Sequence, residues 1–295
     1  MTARLLTRLR AVGASRLAGN TLWNLAGLLT PLLAAVIAIP YLVAALGLPR
    51  FGVLTLGWAV VGYFSVFGLG LGRALTQRLA SALGEGRDGD IAPLARTGLS
   101  LLAGLGLFGA ACAWLLTPVM VDRLFDIPAV LVAETRNSFY LLALSVPVVL
   151  VTTGLRGILE AHGAFRSVNL VRIPLGVFNY LGPLCVLPFT NSLTAVVAAL
   201  VAGRVVAGLV YGVLVSRQVP GLAGEQLFDR EQAGSLLGFG AWMTLSNVIG
   251  PLMIFMDRFF IAGFAPLAAV AYYATPQEMV MRLGLIPAAL MGVLF

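Results

Sequence analysis

Lysine is absent from this chain, and all 19 basic residues are arginine. A nucleotide-phosphate loop of the G-x-x-x-x-G-K type needs a lysine to reach the phosphates, so that machinery is excluded. The single histidine, His162, follows Glu160 in an E-x-H spacing, with no cysteine or second histidine to complete a ligand set. Cys112 and Cys185 are the only cysteines, and both lie in apolar stretches, which leaves neither a disulfide framework nor a zinc site. There is no Gly-x-Ser-x-Gly elbow and no pair of carboxylates in an apolar pocket. The expectation is a protein without catalytic residues, metal or cofactor, and not an enzyme. Charge is also scarce. Charged residues make up 11% of the sequence, where a soluble domain carries about a quarter.

What fills the chain is hydrocarbon. Hydrophobic residues make up 60%, mean hydropathy is +0.98, and apolar runs long enough to cross a bilayer recur throughout. Runs rich in Leu, Val, Ala and Gly read as helices, because a membrane barrel shows short alternating segments instead. The fold class expected is therefore an all-α polytopic membrane protein. A net charge of +7 would suggest nucleic acid in a soluble chain. In a membrane protein, basic loops facing the cytoplasm account for it, and no nucleic-acid partner is expected.

Eight transmembrane helices are predicted, at roughly 20–46, 51–72, 97–121, 137–155, 170–190, 193–216, 235–261 and 266–291. Residues 1–19 carry Arg4, Arg8, Arg10 and Arg16 among leucines, the pattern of a basic amphipathic segment on the cytoplasmic surface. Loops 73–96, 156–172 and 217–233, with that segment, hold 13 arginines, against three in the intervening loops (Arg50, Arg123 and Arg136). This bias orients the N-terminus to the cytoplasm, in a multi-pass protein of the cytoplasmic membrane. Segment 217–233 has Pro220, Gly221 and Gly224, then Asp229 three residues before Gln232, a helix-start signal. It divides a six-helix first bundle, 20–216, from 234–295.

The second part restarts the first. Thr244-Leu245-Ser246-Asn247-Val248-Ile249-Gly250 matches Thr21-Leu22-Trp23-Asn24-Leu25-Ala26-Gly27 at Thr, Leu, Asn and Gly. On that repeat, 234–295 holds the first two helices of a second bundle. The expectation is a fragment of a transporter of twelve or more helices.

Polar groups inside the spans are the candidate site. A charge near the bilayer centre costs about 2.5–3.5 kcal/mol on insertion scales, so it faces a cavity or a partner. Arg204 sits midway along the sixth span, beyond the reach of snorkelling. Two readings are open for it: a cavity cation that meets the diphosphate or an anionic sugar of a substrate, or a buried ion pair or backbone-carbonyl contact within the bundle. Glu278 and Arg282 stand in the favourable i, i+4 order, either neutralising each other or facing a cavity. Asp257 and Arg258 are adjacent, so they point about 100° apart on a helix, as interfacial anchors or cavity groups. Asn24 and Asn247, paired by the repeat, bind sugar or bond neighbouring helices. Arg156, Glu160 and Arg166 flank a cytoplasmic mouth, where they gather a phosphate or, on the plainer reading, form a solvated loop.

Several stretches together resemble one family. Gly68–Ala80 (GLGLGRALTQRLA), Arg156–Phe165 (RGILEAHGAF), Phe228–Asn247 (FDREQAGSLLGFGAWMTLSN) and Met256–Phe264 (MDRFFIAGF) resemble the polysaccharide transporter family. These are the O-antigen and oligosaccharide-lipid flippases of the multidrug/oligosaccharidyl-lipid/polysaccharide exporter superfamily. The resemblance implies two six-helix bundles around a central cavity that opens alternately to each side. It implies an undecaprenyl-diphosphate-linked oligosaccharide as substrate, with the lipid bilayer, a polysaccharide polymerase and chain-length machinery as partners. Rival readings are a cation-coupled multidrug exporter of the same superfamily and a membrane-embedded glycan transferase or polymerase. The first needs intramembrane carboxylates to outnumber cations, and here Arg204, Arg258 and Arg282 face only Asp257 and Glu278. The second needs a catalytic constellation or a large outer loop, and no predicted outer loop exceeds about 15 residues.

Overall fold

A computed structural model describes the backbone of residues 2–124, 127–222, 224, 228–238 and 240–242. Side chains are described for the same residues except 2–26, 28, 48, 55–57, 59–69 and 124. The chain divides into two compact units, Leu28–Thr244 and Met1–Gly27 with Leu245–Phe295. Of the latter, the described part is the helical backbone of residues 2–27.

The described residues form helices and turns, with no strand among them. Helix α1, Thr2–Gly84, is interrupted at Gly47, whose φ of 74° and ψ of 158° leave helical space. The break falls where the short turn between the first two predicted spans was expected. Glycine tolerates the positive φ that ends the first segment, and Pro49 belongs to the start of the next. Then follow α2 (Asp88–Val119), α3 (Val132–Ala161), α4 (Phe165–Val186) and α5 (Leu193–Gln218). Leu29–Gly47, Asp88–Arg123, Ala129–Ala161 and Leu193–Gln218 are each long and apolar enough to cross a membrane. The chain is a multi-pass membrane protein.

The helices run past the predicted span ends. Loop 73–96 contracts to a turn at residues 85–87, and loop 156–172 to one at 162–164. The extensions are amphipathic: Leu75, Leu79 and Ala82 are buried while Arg73 and Arg78 are exposed, the one-sided pattern of a helix packed on a core. Hydropathy marks where a helix leaves hydrocarbon, which is earlier than where it ends.

Two apolar cores stack along the Leu28–Thr244 unit. One, at the end that carries the turns at 85–87 and 162–164, gathers Leu75, Leu79, Leu94, Leu150, Ile158 and Val215. The other, at the opposite end, gathers Leu42, Leu54, Phe139, Leu142, Val196 and Leu200. Val149 packs against both. Close helix approach depends on small residues, as is usual in membranes: a Cβ on Gly106 of α2 would lie 2.5 Å from Cα of Pro147 in α3.

Polar bonds pin the second end. The Glu134 carboxylate of α3 accepts from Arg50 Nε at 3.1 Å and from the backbone N–H of Leu193, the first residue of α5. Arg136 pairs with Asp122 at 2.7 Å. In the linker, Asp229 Oδ1 accepts from Glu231 N–H at 2.8 Å, the cap expected from the sequence.

Candidate functional site

Between the two cores lies a cavity of about 420 Å³. Its position follows from helical spacing. Arg156 and Val149 are seven residues apart on α3, Arg172 and Asn179 on α4, Arg204 and Tyr211 on α5. Two helical turns put each pair on one face, about 10 Å apart along the axis. All six line the cavity. Because α4 runs opposite to α3 and α5, the pairs sort into two levels. Arg156, Arg172 and Tyr211 lie toward the 162–164 turn, and Val149, Asn179 and Arg204 lie two turns deeper. Thr152, Thr153 and Leu175 come between them.

The deeper level is aromatic as well as cationic. Trp58 from the second part of α1 stacks edge-on against Tyr180 of α4, with ring centroids 5.3 Å apart, and both border the cavity. Three polar atoms here are buried and have no hydrogen-bond partner among the described residues: Trp58 Nε1, Asn179 Oδ1 and Arg204 Nη1. Arg156 Nε, on the same cavity, is a fourth. Buried polar groups are nearly always bonded, so three orphan donors and an orphan acceptor on one cavity call for an explanation. A ligand that both accepts and donates hydrogen bonds supplies one.

At the outer level Arg156 Nε lies 3.3 Å from Glu160 Oε1, one turn on, an ion-pair contact without hydrogen-bond geometry. Tyr211 donates to the Val168 carbonyl at 2.9 Å, tying α5 to the start of α4. The described lining of the cavity holds three arginines and no carboxylate. Three guanidinium groups within one low-dielectric enclosure repel each other, and an anion between them relieves that repulsion.

Of the charges singled out within the predicted spans, Arg204 is the one placed by described coordinates, at mid-length on α5 and on this cavity. Among the described residues it has no carboxylate within ion-pair distance. Asn24 lies on the helical backbone of α1, its side chain outside the described set. Asn247, Asp257, Arg258, Glu278 and Arg282 lie outside the described residues. Trp58, Asn179, Tyr180 and Tyr211, uncharged, do not stand out in the sequence. Arg172, expected in a loop, and Arg156, expected at a mouth, both line the cavity. The seven-residue spacing of Arg172 to Asn179 and of Arg204 to Tyr211 was the available signal.

The sequence model of the family described as polysaccharide biosynthesis protein matches residues 17–295. A candidate O-antigen transporter of Shigella flexneri is 31% identical over 271 residues, covering 92% of this chain and 64% of that protein. The chain thus spans just under two thirds of that relative's length. Among solved structures, a Vibrio cholerae MATE transporter in its bent form superposes with a TM-score of 0.74 at 19% identity, over 95% of this chain and 64% of its own. A MATE-family multidrug resistance transporter in an outward-facing conformation gives 0.71 at 16% identity, over 94% and 62%. A MOP-superfamily transporter from Pyrococcus furiosus, for which a binding pocket of reverse polarity is described, gives 0.67 at 17% identity, over 94% and 62%. These structures share the fold.

Proposed function

Given that this chain belongs to the polysaccharide biosynthesis protein family, we propose that it acts as a flippase. It carries an undecaprenyl-diphosphate-linked oligosaccharide across the cytoplasmic membrane by alternating access, with its N-terminus in the cytoplasm. The observation that supports this most is the cavity with three arginines and no carboxylate in its lining. A diphosphate accepts several charge-assisted hydrogen bonds, and guanidinium groups present the donors that match it. Arg156 and Arg172 take the diphosphate at the outer level. Trp58, Tyr180, Asn179 and Arg204 take the sugars two turns deeper, where aromatic faces and amide groups suit hydroxylated rings. The binding set includes, on sequence grounds, Asp257, Arg258, Glu278, Arg282, Asn24 and Asn247. The same grounds divide the chain into a segment 1–19, a first bundle 20–216, a linker 217–233 and a second bundle from 234. An ion gradient, the membrane potential or the substrate's own gradient supplies the driving force.

A cation-coupled drug exporter is the second reading, because the MATE structures share the fold. A cationic drug meets three like charges in the described lining of this cavity, with Glu160 beside Arg156 as their counter-charge, which favours the anion. The deciding experiment is binding to the purified protein in lipid nanodiscs. Isopentenyl diphosphate should bind and lose affinity in Arg156→Ala and Arg172→Ala. A protein that bound ethidium and ignored diphosphates would instead be an exporter.

A further inference from the structure

A second hollow, of about 580 Å³, lies between α4 and α5. Leu170, Pro174 and Phe178 line it from α4, and Ala202, Gly203 and Val206 from α5. No side chain in its walls is polar. Leu170 is 63% and Val206 59% exposed, so the hollow is an open groove. Its depth comes from missing side chains. A Cβ on Gly203 would lie 2.6 Å from the Phe178 ring, and one on Gly182 3.0 Å from it. Phe178 therefore lies down into the space that the two glycines leave.

Any gap between membrane helices fills with lipid. This one differs in what stands behind it. Leu175 belongs to the wall of the groove and to the wall of the arginine cavity. Val171 and Gly203 line the groove, while the residues next to them, Arg172 and Arg204, line the cavity. One layer of side chains separates a cationic enclosure from an apolar channel. That is the pair of environments an amphiphile requires, since its chain gains by apolar contact and its charged end cannot remain in hydrocarbon unpaired.

We propose that the α4–α5 groove holds the apolar chain of the same lipid whose charged end occupies the arginine cavity, the two joining at Leu175. This rests on the reading of the cavity as a lipid-diphosphate site and adds where the chain lies. During transport the tail then stays in the bilayer along α4 and α5 while the head group is enclosed.

The test compares one long and one short probe on the purified protein in nanodiscs: undecaprenyl diphosphate, and isopentenyl diphosphate, which is too short to fill the groove. Val206→Trp fills the groove from an exposed position outside the cavity lining. It should weaken undecaprenyl diphosphate binding by about tenfold or more, equivalent to taking two methylenes back out of the groove. Isopentenyl diphosphate binding should be unchanged. Ala202→Phe, on the same wall, should do likewise and decides the matter if Val206→Trp does not fold. Intact binding of both probes in the filled variants overturns the groove while leaving the cavity reading in place. Failure of the wild type to bind isopentenyl diphosphate overturns the cavity reading, and the groove with it. A wild-type dimer that Val206→Trp splits assigns the groove to a second copy of the chain and also overturns the proposal.

Discussion

Arg204 carries a guanidinium at mid-helix with Nη1 buried and unpartnered, an arrangement that packing alone does not favour. An unsatisfied buried donor costs about 1–3 kcal/mol, more when charged, so this arginine is kept at the expense of stability. Arg204→Met keeps the apolar length of the side chain and removes the charge. It should abolish export of the host's surface glycan and leave the unfolding free energy unchanged or raised by about 1 kcal/mol. Surface polysaccharide blots and thermal melts of the purified variant read the two effects separately. A variant destabilised by more than about 1 kcal/mol would make Arg204 a structural residue. The sequence disclosed this position because a charge in the middle of an apolar run has few places to go. Asn179 and Trp58 escaped notice because an amide or an indole within a span is ordinary, and only their meeting with Arg204 makes them informative.

Among the helices, Glu134 holds three elements at one end of the bundle: α3 itself, the second part of α1 through Arg50, and α5 through the Leu193 N–H. Its side chain is 17% exposed, so the bonds are largely shielded from water. Glu134→Ala leaves a buried backbone N–H without its acceptor and should cost about 1–3 kcal/mol in denaturant or thermal unfolding. Glu134→Gln keeps an acceptor oxygen and should cost less. Helix α2 offers a cleaner contrast. Gly106→Leu drives a side chain into the Pro147 backbone, only 2.5 Å from the first added carbon, and should cost about 1–3 kcal/mol as overpacking. Gly104→Ala meets nothing within 4 Å and should be neutral or stabilising, since alanine favours helix by roughly 1 kcal/mol over glycine. If both variants melted alike, the α2–α3 contact would be looser than described. Helix ends were the least legible elements. Hydropathy stops at the membrane surface, whereas α1, α3 and α4 continue on amphipathic faces that only a neighbouring helix can select.

For the molecule as a whole, the proposal predicts that substrate shields the cavity and leaves the rest of the surface open. With Cys112 and Cys185 replaced by serine, Thr152→Cys should react with a small maleimide. Isopentenyl diphosphate should slow that reaction by a factor of 1 + [L]/Kd, about tenfold at nine times Kd. Leu209→Cys, at a position 66% exposed and outside the cavity lining, should show no protection. Equal protection at both sites would point to a general conformational change and away from a ligand held at the arginines.

The sequence by itself determined the class of the molecule: helical, multi-pass, poor in charge, with Arg204 stranded in the middle of a span. Bilayer energetics writes that information locally, residue by residue, as long apolar runs and costly exceptions. The Gly47 break and the Asp229 cap were legible for the same reason, since each depends on a few adjacent residues. The tertiary structure alone decided that Arg156, Arg172 and Arg204 share one enclosure. They lie on three helices, and their convergence depends on how α3, α4 and α5 cross and rotate, which side-chain packing sets across the bundle. It also placed an apolar groove one leucine away from those charges, because two stretches each apolar by themselves carry no sign of the gap between them.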